Sequence, residues 1–140
     1  MSTSTPNVNA KRVCQVIKVN RLAGSSTKWQ LIQHQLKPEA EKEYRDLHAN
    51  AWPGVLAALQ RHGIADYSIH FYPPLNLLIA NFKYTGENYE SDMNAIGQDE
   101  ETRRWWKITD GLQESFNDGA QGSGGDLPWW KDLEEVFRME

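Results

Sequence analysis

The chain has 140 residues, of which 39% are hydrophobic and 24% charged, with a net charge of −4 at pH 7. That mixture belongs to a folded globular chain with room for one domain and a core that needs neither disulfides nor a structural metal, and it leaves no room for a second domain. The acidic balance gives no attraction for nucleic acid or an anionic membrane, no apolar run approaches spanning length, and the lone Cys14 cannot close an internal disulfide.

The polar start, MSTSTPNVNAKR, lacks the apolar core of a secretion signal, so a cytoplasmic setting is expected. Residues 1–10 read as a disordered tail and 11–140 as a single domain. Arg12 to Val19 (RVCQVIKV) alternates as a strand does, and Trp29 to Leu36 (WQLIQHQL) is a second candidate for the same role. Pro38 suits a first helical position, and Glu39, Glu41 and Glu43 suit the positive end of a helix dipole. The spacing predicts a helix to about Arg61 with an apolar stripe at Ala40, Tyr44, Leu47, Ala51, Val55 and Ala58, kinked by Pro53 near Ala49 and stopped at His62-Gly63.

Ile64 to Tyr72 and Leu75 to Tyr84 read as two strands joined tightly at Pro73-Pro74. Tyr67, Ile69 and Phe71 share one face of the first, while Ser68, His70 and Tyr72 share the other. Helical patterns follow at 87–97 and 99–116, then a Gly/Ser/Asp loop at 117–128, and Leu133 to Met139 is expected to close the sheet as a last strand. The order β-α-β-β-α-β predicts an α+β, ferredoxin-like fold whose helices cover one face of an antiparallel sheet. A second copy of the sheet is the simplest cover for the other face, which predicts a homodimer.

Tyr44 and His48 lie four residues apart, on one helical face, and Trp52 follows at the next such step. A histidine beside an apolar stripe is more often a packed residue than a catalyst. The same applies to Trp105 and Trp106: their side chains point about 100° apart, so one is expected in the core while the other can serve a sugar as a platform. Tyr67 falls on an apolar face, where its hydroxyl needs a partner. His34, His62 and His70 are weaker candidates, and no pair of histidines has metal-ligand spacing with a carboxylate.

Five runs in order resemble motifs of the L-rhamnose mutarotase family. They are Glu43-Tyr44 with His48 and Trp52-Pro53, Asp66-Tyr67-Ser68-Ile69, Asn76-Leu77-Leu78, Arg104-Trp105-Trp106, and Leu133-Glu134-Glu135-Val136-Phe137. The resemblance implies a dimeric α/β-barrel assembly that interconverts the α and β anomers of L-rhamnose, or of a related 6-deoxy sugar, without a cofactor. It implies His48 as the acid catalyst and Tyr44, Tyr67, Trp105 and Trp106 as sugar contacts. The chain departs from the family at its start, where Val19 to Gln35 reads as an insertion between the first strand and the first helix. Two other functions suit the same dimeric fold: a cofactor-free monooxygenase or decarboxylase with an aromatic pocket, and a small ligand-binding module.

Overall fold

The computed structural model describes residues 11–19 and 39–139. The expected tail, the candidate strand at 29–36 and all of the expected insertion except Val19 lie outside the described residues.

Strand β1 runs Lys11–Val19 and buries Val13, Ile17 and Val19, odd positions that share a face. Helix α1 (Glu39–Ala49) and helix α2 (Pro53–Arg61) stand where one kinked helix was expected. Proline drives the residue before it out of helical geometry, and Trp52 is accordingly extended, at φ −68° and ψ 130°. The helix therefore ends and restarts, with Pro53 as the first residue of α2.

Strands β2 (Ile64–Tyr72) and β3 (Leu77–Tyr84) form a hairpin across a short 3₁₀ turn at Pro73–Leu75. The register slips between Ala65 and Ser68, where Asp66 takes a φ of +50°. Ile64 and Tyr67 are an odd number of residues apart, so a regular strand would put them on opposite faces; one bulged residue lets Tyr67, Ile69 and Phe71 join Ile64 on the inner side.

Helix α3 (Tyr89–Gln98) is capped by the Asn88 side chain, and helix α4 (Glu100–Gly111) by Asp99, whose carboxylate accepts from the Thr102 amide over 2.9 Å and its hydroxyl over 2.8 Å. Two short strands follow, β4 (Gln113–Glu114) and β5 (Lys131–Asp132). All pairings are antiparallel, in the order β2-β3-β1-β4, with β5 also on β1. The fold is α+β with helices packed on one face of an antiparallel sheet.

Two further expectations fail: the helix expected over 99–116 stops at Gly111, with Gln113–Glu114 as β4, and the closing strand is missing. Leu133 to Met139 forms no strand; after β5 the Leu133 amide donates to the Cys14 carbonyl and the chain leaves the edge. The edge of β1 is shared between β4, opposite Lys18 and Val19, and β5, opposite Gln15 and Val16. Val136 and Phe137 are consecutive apolar residues, which a strand would send to opposite faces, and they remain 92% and 82% exposed.

Two clusters make the core. Ile17, Val19, Ala40, Tyr44, Leu78 and Leu112 pack beneath α1, and Val13, Ile64, Phe82, Tyr84 and Ile96 pack beneath α3. Among the described residues no helix is long and apolar enough to cross a membrane.

Candidate active site

Between α1, α2, α4 and the inner face of the sheet lies a cavity of about 770 Å³, a size suited to a small ligand. Tyr44, His48, Tyr67, Trp105 and Trp106 all line it. The structure thus brings together the expected acid catalyst and the four expected sugar contacts.

Helix periodicity does much of this locally. Tyr44 and His48, one turn apart on α1, stack with ring centroids 4.1 Å apart and planes at 25°. The Trp105 ring, from α4, meets His48 edge-on at 5.2 Å and meets Trp52 in the same manner at 5.2 Å. Trp52 therefore braces Trp105 rather than extending the Tyr44-His48 stack. Trp105 is buried and Trp106 half-buried, the latter lying against Gly97 and Gly124. A methyl group added at Gly124 would come within 3.2 Å of the Trp106 ring, and the residue's φ of +75° also favours glycine.

His48 Nδ1 lies 2.8 Å from the Tyr44 carbonyl. A carbonyl only accepts, so Nδ1 carries the proton and Nε2 is left as the basic nitrogen of the neutral ring. Burial lowers the His48 pKa from its ordinary value of 6.5, opposed in part by that hydrogen bond. The imidazole is consequently neutral at pH 7.

Burial pushes the Tyr44 phenol up, the nearby Tyr67 adds to the shift, and a hydrogen bond from Gln113 works against it. Tyr67 stacks on Phe82 at 5.3 Å with planes 7° apart. Although 43% of Tyr67 is exposed, protein packed about its hydroxyl raises its pKa to about 12, with Tyr89 contributing. Both phenols stay protonated through the physiological range and act as hydrogen-bonding groups.

Three further cavity residues escaped the sequence reading. Arg45 lies 5.2 Å above the Phe71 ring while its guanidinium pairs with Glu41 at 3.1 Å; the four-residue spacing of Glu41 and Arg45 was the available signal. Thr102 lies buried in the wall, and nothing in its sequence context distinguishes it from an ordinary cap neighbour. His70, set aside in the sequence as a weaker candidate, is exposed and lines the cavity. Among the described residues no group of three or more His, Cys, Asp or Glu side chains is placed to hold a metal ion.

A family model described as L-rhamnose mutarotase matches residues 30–139. The chain belongs to the L-rhamnose mutarotase family. It is 35% identical over 105 residues to the L-rhamnose mutarotase of Bacteroides thetaiotaomicron, covering 75% of this chain and 91% of that protein. To the L-rhamnose mutarotase of Cronobacter sakazakii it is 31% identical over 106 residues, covering 76% of this chain and 92% of that protein. A crystal structure of L-rhamnose mutarotase from Formosa agariphila superposes with a TM-score of 0.60 at 23% identity, over 93% of this chain and 99% of that one, which shows a shared fold. Membership of the family leaves the monooxygenase and ligand-binding-module readings without support. The family match begins inside the 29–36 candidate strand and leaves Lys11–Val19 outside it, whereas Lys11–Val19 is the strand that pairs with β3, β4 and β5.

Proposed function

We propose that this protein is a mutarotase, interconverting the α and β anomers of L-rhamnose or a related 6-deoxy sugar by ring opening and reclosure. The observation that carries the proposal is the stacked Tyr44-His48 pair with Trp105 edge-on to it, set in the wall of a sugar-sized cavity in a chain of this family.

Ring opening requires a proton to leave the anomeric hydroxyl and one to reach the ring oxygen. Both oxygens sit on the same carbon, so one imidazole nitrogen can serve both. Neutral His48 takes the hydroxyl proton at Nε2; the C1–O5 bond breaks as C1=O1 forms; the imidazolium then gives its proton to O5. Rotation about C1–C2 and the reverse steps on the other face of the aldehyde give the second anomer. His48 is thereby base first and acid second, and each cycle returns it to the neutral state. Only protons move, so the reaction calls for no cofactor.

Tyr44 and Tyr67 supply polar contacts to the sugar hydroxyls, and Trp105 and Trp106 supply apolar surface for its C–H side. Residues 11–140 act as one domain, with 19–35 an insertion, in the cytoplasm. The ferredoxin-like description is supported by the antiparallel order β2-β3-β1-β4, with β4 and β5 in the place of a fourth strand. The homodimer is supported by the uncovered face of the sheet, where alternation places Cys14, Val16, Leu77 and Ile79, all only half-buried.

Saturation-transfer NMR on L-rhamnose tests the function. The protein is expected to accelerate anomer exchange, and His48→Ala to abolish most of the acceleration. Exchange at the buffer rate in the presence of the intact protein would refute it.

A further inference from the structure

The most buried phenol of the cavity is held by two side chains that the mechanism above does not use. Gln113, in β4, is 5% exposed. Its Nε2 donates to the Tyr44 hydroxyl oxygen over 3.3 Å, and its Oε1 accepts from Trp129 Nε1 over 2.8 Å. An indole N–H can only donate, so Oε1 must face Trp129 and the amide nitrogen must face Tyr44. That nitrogen can only donate in turn. The Tyr44 oxygen is therefore an acceptor toward Gln113, and its own proton points elsewhere.

No described residue accepts that proton, and Tyr44 lines the cavity. Accepting one hydrogen bond polarises a hydroxyl and strengthens it as a donor. The segment that carries Trp129 is itself tied down. Ser115 Oγ donates to the Trp129 carbonyl over 2.6 Å, and Asn117 Nδ2 donates to the carbonyls of Pro128 and Trp130 over 2.8 and 3.1 Å.

We infer that Gln113 and Trp129 are a positioning pair that commits Tyr44 to donate its proton to an oxygen of the bound sugar. The inference rests on the cavity being the sugar site, and it assigns a direction to one of its hydrogen bonds. At this point the site selects for an accepting oxygen. A sugar hydroxyl can turn to accept, and the ring oxygen can do nothing else.

Gln113→Glu tests the direction, because it changes the hydrogen-bonding sense with almost no change of shape. The ionised carboxylate still accepts from Trp129 but also accepts from Tyr44, turning the phenol proton away from the sugar. We expect kcat/KM for L-rhamnose at pH 8 to fall at least tenfold below the unmodified protein, measured at a temperature where both proteins are fully folded, since a buried carboxylate also lowers the melting temperature at that pH. The ratio of the two should recover as the pH is lowered toward 5.5 and the introduced carboxyl regains its proton and can donate again. Taking the ratio at each pH cancels the titration of His48, and measuring only where both proteins are fully folded removes the instability of the buried charge, which would also reverse with pH.

A ratio near one at every pH, or a deficit that does not change with pH, would overturn the inference while leaving the mutarotase reading intact. Failure of the unmodified protein to accelerate exchange would overturn both. Should the carboxylate variant not fold, Gln113→Met replaces it in a double-mutant cycle with Tyr44→Phe. There the combined loss should not exceed that of Tyr44→Phe alone, and additive losses would overturn the inference.

Discussion

Two half-buried histidines at different places in the molecule have opposite surroundings. His48, in the cavity, offers Nδ1 to the Tyr44 backbone carbonyl at 2.8 Å and lies face to face with the Tyr44 ring. His62, at the end of α2, sets Nδ1 3.2 Å from the Asp92 carboxylate, which also accepts from the Tyr84 hydroxyl. A carbonyl fixes the tautomer without supplying a full negative charge, so burial wins and the His48 pKa falls. At the second site, hydrogen bonds from Tyr84 and then His62 hold the Asp92 carboxyl below its usual range. The His48 contact fixes a tautomer within one helix, whereas the His62 contact ties the end of α2 to α3.

The largest expected effect tests the first half of that contrast. His48→Ala should lower the rate of L-rhamnose anomer exchange by roughly 10²- to 10⁴-fold, the range usual for a general acid–base group, with the melting temperature nearly unchanged. Equal losses of activity and stability would make His48 a packing residue.

Next in size is the pH profile. Protonated His48 has no basic nitrogen, so kcat/KM should be level near neutrality and then fall by about tenfold per pH unit below its pKa, with the bend placed under 6.5 because burial lowers that pKa. The same shift bears on stability. The unfolded chain binds this proton more readily than the folded one, so the contribution is present above 6.5 and is lost as the pH falls through the folded value. A bend above pH 6.5 in NMR exchange rates would break the assignment.

Asp92→Asn probes the other histidine. It removes the charge that faces His62 and weakens the acceptor for Tyr84, so thermal unfolding should shift to lower temperature while kcat stays within about twofold, since surface changes away from a site leave its chemistry intact. A change in KM for the sugar would show that the two regions are coupled.

The smallest effect is expected at Tyr67. Its pKa of about 12 in the folded protein exceeds the ordinary 10.0. The unfolded chain therefore loses this proton first, and stability is fully present below pH 10 and declines as the pH rises toward 12. Tyr67→Phe should flatten that decline, as followed by denaturant unfolding at stepped alkaline pH.

Much of this was legible in the amino-acid order. The Tyr44-His48 stack follows from a spacing of four on one helix, and the burial of Trp105 with Trp106 beside it follows from the angle between successive helical side chains. The apolar residues of β3 fall on both of its faces, and packing alone chose Leu78, Ala80, Phe82 and Tyr84 as the buried one. Pro53 announced a break, and the extended Trp52 made it a full stop between two helices rather than a kink. Leu133 to Met139 misled because a run rich in apolar residues resembles a strand wherever it stands; its neighbouring Val136 and Phe137 would face opposite ways in a strand, and the ladder on β1 ends at Asp132.

Sequence alone thus determined much of what depends on neighbours a turn or a pleat apart: most of the elements, the histidine with its stacked phenol, and the family motifs. Only the tertiary structure could bring Gln113, with Trp129 behind it, onto Tyr44, lay Trp105 on His48, and bulge β2 so that Ile64 shares the face of Tyr67. Those contacts join segments far apart in the chain, and their geometry is set by how sheet and helices pack, which no local spacing encodes.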